Sequence, residues 1–219
     1  MPDHPVENRS PAFDPPFRER LTDLFRWRRD VRRFHATPLD EALVDDLLSL
    51  ACLAPSVGNS QPWRFVKVKS APARAAVRTS FERCNRRALE SYEGERARLY
   101  ATLKLSGLDR APVQIAVFAD ENPAEGSGLG RATMPETLGY SVAMAIHTFW
   151  IAARARGVGV GWVSILDPDE IARALEAPPG WRLVAYLCVG WPEEDHLDPE
   201  LERHGWQARL AAGWFVSEK

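Results

Sequence analysis

The chain is short of cysteine, of long apolar runs and of net charge, and each shortage removes a class of function. Cys52, Cys84 and Cys188 are far apart and form no CxxC pair, so no disulfide framework is indicated. Cys52 and Cys188 lie in apolar stretches, which predicts buried free thiols in a reducing compartment. The longest apolar run, GYSVAMAIHTFWIAA (139–153), is too short to span a bilayer. It predicts a buried helix of a soluble, cytoplasmic protein, with His147 as a satisfied core histidine. A net charge of -2 leaves no broad basic face for nucleic acid or for a membrane surface. Residues 1–16 are polar and carry Pro2, Pro5, Pro11, Pro15 and Pro16; they lack the pattern of a signal peptide and predict a flexible arm. The EGSGLG loop (125–130) has no GK[ST] after it. Gly157, Gly159 and Gly161 follow a helix and enter a strand, the reverse of a dinucleotide-binding turn. No independent NAD(P)H site is evident.

What is present is ordinary globular composition, 45% hydrophobic and 26% charged over 219 residues, enough for one core and a single domain over 17–219. Leu21, Leu24, Phe25 and Arg28 recur at helical spacing. Residues 37–55 predict a clearer helix, capped by Thr37 or Asp40 and ended by Pro55. Residues 71–105 are helical in composition, 135–156 predict a long helix, and 167–177 a short one with Asp167 near its N-cap. Strands are predicted at 63–69, 111–119, 157–166 and 181–192. Strands alternating with helices indicate α/β or α+β layering around one sheet.

Two stretches can carry chemistry. RWRRDVRRFHA (26–36) packs Arg26, Arg28, Arg29, Arg32 and Arg33 around Asp30. Guanidinium forks suit a phosphate, and such a cluster repels itself unless an anion compensates. A solvated helix end with Asp30 as an intrahelical partner is the alternative. APSVGNSQPWRF (54–65) joins a helix end to a strand through small residues that let a flat polar ligand come close; alone, it could be a connecting loop.

Together and in this order, the two stretches resemble the N-terminal signature of the nitroreductase superfamily of flavoproteins. The matching residues are Arg28, Arg29, Asp30, Arg32 and Phe34, then Ala54, Pro55, Ser56, Asn59, Gln61, Pro62, Trp63 and Phe65. The resemblance implies an α+β fold with a central mixed or antiparallel sheet flanked by helices, and FMN bound at a homodimer interface. The arginines would hold the phosphate and the flavin pyrimidine edge, with Val31 between them. The Ser56–Asn59 loop would reach in from the second subunit, and Pro55 and Gln61 beside it are further candidates for FMN binding. A C-terminal arm, about 196–219, would add Gln207 and Arg209. Asp30 departs from the serine usual at its position. Set among cations, its pKa is expected to fall, leaving a carboxylate that can accept a proton.

Residues 91–118, 133–168 and 200–209 narrow the resemblance to the 5,6-dimethylbenzimidazole synthases of vitamin B12 biosynthesis. That group consumes reduced FMN and O2 and releases 5,6-dimethylbenzimidazole and erythrose 4-phosphate, so FMN is substrate. A separate flavin reductase is then expected to supply it, with NAD(P)H involved only through that partner. The resemblance implies a lid at about 91–108 that keeps water from the flavin, using Tyr92, Leu99, Tyr100, Leu103 and Leu105. Leu99 and Leu103 could equally be helix-packing residues. Asp30 is the expected base. Ser164 is its hydrogen-bonding partner near the flavin, beside Ile165, although a strand-end serine can also satisfy its own backbone. His196, Asp198, Glu202 and His204 superficially suggest a metal set; a solvated turn and helix explains them, and no metal is assigned. The rival functions are an NAD(P)H-dependent nitroreductase or flavin reductase and a non-catalytic FMN-binding protein. An arginine-led nucleic-acid binder is disfavoured by the overall charge.

Overall fold

The computed structural model describes residues 11–103, 106–210 and 215–219. Side-chain caps set the starts of four of the helices. Helix α1 (Pro15–Trp27) begins where the Asp14 carboxylate accepts the Phe17 N–H at 2.8 Å. It takes Pro15 and Pro16, both expected in the arm, into its first turn, where proline's missing N–H costs nothing. Asp40 caps α2 (Glu41–Ala51) in the same way through Ala42. Ser70 caps α3 (Ala71–Glu90), and Asp167 caps a later helix through Glu170 at 3.0 Å.

Residues 71–105, helical in composition, contain two helices. α3 stops at Glu90, and after a turn over 91–93 α4 (Gly94–Thr102) starts at Gly94, whose φ is 58°. That left-handed backbone cannot continue a right-handed helix. A short α5 (Gly107–Arg110) follows, and α6 (Thr137–Arg154) is the long apolar helix. α7 (Pro168–Ala174) and α8 (Glu200–Arg203) complete the set.

Strands β1 (Trp63–Lys67), β2 (Val113–Asp120), β3 (Gly159–Val163) and β4 (Trp181–Gly190) form one sheet in the order β1-β2-β4-β3, with every pair antiparallel. α6 lays Val142, Ala145, Ile146 and Phe149 on one face, against Ile115, Val117 and Leu187 of the sheet. The other face packs Phe34, Val77, Phe118, Ile171 and Tyr186. This is an α+β architecture.

Two expectations about burial fail. His147 is exposed, because α6 buries the stripe containing Ile146 and Phe149 and turns His147 outward beside Tyr140 and Met144. Cys52 is exposed at the C-cap of α2, past the last buried turn, whereas Cys188 lies in β4 and is fully buried. No helix among the described residues is long and apolar enough to cross a membrane.

Candidate active site

Beyond Trp27 the chain leaves the helix and runs extended along the free edge of β3. Asp30 bridges to Val160 in parallel, and the Val31 N–H donates to Val160 O at 3.0 Å. The approach is close because β3 has glycine where the two chains meet: a Cβ on Gly161 would lie 2.1 Å from Val31 O. An extended segment sends alternate side chains to opposite sides. Arg28, Asp30 and Arg32 share one cavity, while Arg33 turns away to pair with Glu194 and Glu200.

That cavity, of about 510 Å³, is lined also by Arg29, Trp150, Trp162, Leu201, Gln207 and Arg209. Its size falls in the range of about 300–1,000 Å³ usual for small-molecule sites. A second cavity, of about 220 Å³, shares Asp30, Arg32, Trp162 and Leu201 with it and continues to Ser164, Ile165, Tyr100, Leu103, Asn85 and Trp206. Asp30 thus stands where the two meet. At one end are arginines from the two ends of the chain; at the other are Phe81 of α3, Tyr100 of α4, Leu103 at the end of α4, and Trp206.

The arginines are poorly compensated. Arg28 stacks over the Trp150 ring at 5.0 Å, and Trp150 in turn donates its indole N–H to Arg29 O at 3.2 Å. Arg29 donates to Leu197 O at 2.7 Å. Among the described residues, neither Arg28, Arg29 nor Arg209 has a carboxylate within ion-pair distance. Burial is the main cause that lowers the Arg28 and Arg29 pKa values; at Arg28 the Asp30 carboxylate opposes it and Arg209 adds to it, and at Arg29 repulsion from Arg28 and Arg209 adds to it against Asp198 and Glu202. Such a group favours a bound anion.

Asp30 reverses an expectation. Its pKa is raised, not lowered, and burial is the main cause, with Glu200 adding to it. Two interactions oppose the rise: its Oδ1 accepts the Trp162 N–H at 2.9 Å, and its Oδ2 accepts from Arg32 Nε at 3.4 Å. The neighbouring cations do not prevail because Arg28 and Arg29 are held by Trp150 and Leu197 and Arg33 has acidic partners of its own. The carboxyl opens onto the cavity, with 38% of its side-chain surface exposed, and elsewhere protein encloses it.

The model for the nitroreductase family matches residues 25–191. The chain belongs to the nitroreductase family. Among relatives, it is 59% identical over 199 residues to a 5,6-dimethylbenzimidazole synthase of Rhodospirillum rubrum, covering 91% of this chain and 94% of that protein. A protein of the same name from Rhodobacter capsulatus is 52% identical over 202 residues, 92% of this chain and 98% of its own. Among solved structures, an oxidized iodotyrosine deiodinase bound to FMN and 3-iodo-L-tyrosine superposes with a TM-score of 0.68 at 26% identity. The match covers 80% of this chain and 91% of that one.

Within this nitroreductase fold, the residues expected from the sequence fall into three groups. Arg28, Arg29, Asp30, Arg32, Ser164, Ile165, Gln207, Arg209, Tyr100 and Leu103 line the two joined cavities, while Val31 packs beneath them on β3. Tyr92 and Leu99 line neither cavity, although Tyr92 stacks on Tyr100 at 5.1 Å. Leu105 lies outside the described residues. Pro55, Ser56, Asn59 and Gln61 belong to the loop that enters β1, at the opposite edge of the sheet from β3. Three strand spacings, about 14 Å, separate those edges. Asn59 and Gln61 adopt φ values of 55° and 46°, a strained backbone that clusters at functional sites. His196, His204 and Asp198 are used locally, with Glu194, Glu200 and Arg203. Sequence reasoning missed Trp150, Trp162, Asn85, Leu201 and Trp206. Only Trp206 carried a signal, since it directly precedes Gln207.

Proposed function

We propose that the protein is a 5,6-dimethylbenzimidazole synthase, acting on reduced FMN and O2 and releasing 5,6-dimethylbenzimidazole and erythrose 4-phosphate. The observation that carries the reading is the placement of Asp30, a half-buried carboxyl at the meeting point of an arginine-lined cavity and a lid-lined one. The identity to the Rhodospirillum rubrum protein supports it over most of the chain. The site suits FMN by its donors: three guanidiniums with no carboxylate partner within ion-pair distance among the described residues answer a phosphate, and Trp162, Tyr100 and Leu103 offer apolar cover for a flat ring. Bound reduced FMN supplies the carbon skeleton of the product and the electrons that O2 accepts.

The chain's own residues then have distinct roles. Arg28, Arg29 and Arg209 grip the phosphate, with Gln207 beside them. Trp162 N–H and Arg32 hold the Asp30 carboxylate in place, and its Oδ atoms accept a proton during ribityl cleavage. Ser164 offers a hydroxyl to the same end of the cavity. Tyr100 and Leu103 exclude water, which would otherwise favour release of peroxide. The Ser56–Asn59 loop, strained at Asn59, completes the site from a second subunit, with Pro55 and Gln61 beside it. An exposed apolar stripe on α6, with Tyr140 and Met144, supports such a homodimer. A separate flavin reductase would supply reduced FMN in the cytoplasm.

The test is a product assay. Protein loaded anaerobically with reduced FMN is exposed to O2, and the mixture is resolved by chromatography and mass spectrometry. Dimethylbenzimidazole appears as FMN disappears. Intact oxidised FMN with hydrogen peroxide instead would point to a reductase or a flavin-binding protein, between which a nicotinamide turnover assay decides. Arg29→Ala should weaken FMN binding by about 10- to 100-fold, the loss of one charge-assisted contact of about 1.5–3 kcal/mol. Quenching of flavin fluorescence measures this, and an unchanged affinity would remove Arg29 from the phosphate site.

A further inference from the structure

The lid and the C-terminal segment meet at one residue. Trp206 presents its ring edge-on to Tyr92, with centroids 5.5 Å apart and an interplanar angle of 89°, and it lies 6.1 Å from Tyr100. The Arg96 guanidinium sits over the same ring at 4.2 Å and also donates to Trp206 O at 3.2 Å. Tyr92, Arg96 and Tyr100, on α4 and the turn before it, therefore hold Trp206 together. On its own side, Trp206 is anchored by its N–H to Leu201 O at 2.8 Å. The residues just after it, Gln207 and Arg209, line the larger cavity, and Trp206 itself lines the smaller one.

We propose that Trp206 is a positioning residue that couples the lid to the phosphate-binding end, so that α4 closes over the site only while the Gln207–Arg209 segment is seated. The proposal rests on the functional reading above and deepens it. Aromatic pairs and a cation–π contact each favour the closed arrangement modestly, and together they tie two otherwise separate segments into one ordering unit. Because coupling is reciprocal, disturbing either partner must loosen the other. When the pin is lost, reduced FMN reacts in a wetter site. Its two electrons and two protons then pass to O2, giving oxidised FMN and hydrogen peroxide in place of fragmentation.

The test compares Trp206→Ala, Trp206→Phe and Arg96→Ala by amide hydrogen exchange on the whole protein, with and without oxidised FMN, and by the ratio of hydrogen peroxide to dimethylbenzimidazole. Exchange over 94–103 should quicken by roughly tenfold in Trp206→Ala. Exchange over 206–210 should quicken likewise in Arg96→Ala, with the core strands unaffected in both. Trp206→Phe, which keeps a ring for Tyr92 and Arg96, should restore most of the protection and of the product ratio. Local loosening confined to the substituted segment would overturn the coupling, as would an unchanged peroxide ratio in a protein that does form dimethylbenzimidazole. If the unsubstituted protein makes none, the functional reading fails by itself. The exchange experiment still decides whether lid and arm move as one.

Discussion

Asp30→Asn should keep FMN bound, raise thermal stability and cut dimethylbenzimidazole formation by about 10²- to 10⁴-fold, the usual contribution of a positioned base. Binding persists because Arg28, Arg29 and Arg209 are untouched and the asparagine Oδ1 can still accept the Trp162 N–H. Stability rises because the folded state holds the Asp30 carboxyl above its unfolded pKa, which is about 3.9. A carboxyl so shifted favours the fold fully only when protonated. Its contribution is lost as pH rises from the unfolded value through the folded one. The gap in melting temperature between the variant and the parent should therefore open as pH is raised from about 4 towards neutrality and close again in acid. The acid limb of the parent's pH–rate profile should likewise lie above the ordinary carboxyl range, since the base works only when ionised. Melting curves and single-turnover product yields across pH check both. A variant that forms product at the parental rate would take Asp30 out of the chemistry, and a variant less stable at neutral pH would contradict its burial.

The sign of that shift was not legible in the sequence, and the reason is geometric. Along the chain Asp30 has arginines on both sides, so counting neighbours predicts a stabilised carboxylate. In extended backbone, however, alternate residues face opposite ways, and Arg33 leaves for Glu194 and Glu200. Arg32 alone remains in contact with the carboxyl, at 3.4 Å, and burial prevails. The helix starts at Asp40 and Asp167 were easier, because a cap and the helix it serves are adjacent in sequence, whereas the cap at Asp14 fell within the expected arm and the one at Ser70 was not read. Contacts between distant segments left weaker traces. Trp162 and Trp150 look like core tryptophans in any reading of spacing, and only the path of residues 28–34 along β3 shows what they support. The Ser56–Asn59 loop carried a recognisable motif yet stands at the far edge of the sheet, so under the proposed function it would act from a second chain.

Gly161→Ala should lower the melting temperature by on the order of 5–10 °C and weaken FMN binding as well, a pairing that Asp30→Asn does not produce. The added Cβ would fall 2.1 Å from Val31 O. This is backbone, which cannot swing aside as a side chain can, so the whole 28–34 segment must lift from β3. Overpacking of this kind costs about 1–3 kcal/mol or somewhat more, and each kcal/mol shifts the midpoint of a chain this size by about 2–4 °C. The functional loss has the same origin. The residues flanking Gly161 supply two of the bonds that seat the segment: Val160 O accepts the Val31 N–H, and the Trp162 N–H donates to the Asp30 carboxylate. Lifting the segment breaks these two bonds and moves Arg28 and Arg29 with it. Gly159→Ala meets only the Val31 side chain, at 2.9 Å from Cγ2, and should be milder on both measures. Calorimetry and flavin titration on the two variants separate the cases. A Gly161→Ala protein that melts and binds FMN like the parent would mean that the approach of Val31 to β3 does not hold the site. A loss of both properties, larger than in Gly159→Ala, would explain the glycine run that imitated a dinucleotide fingerprint, because those glycines let the arginines and Asp30 lie against the edge of the sheet.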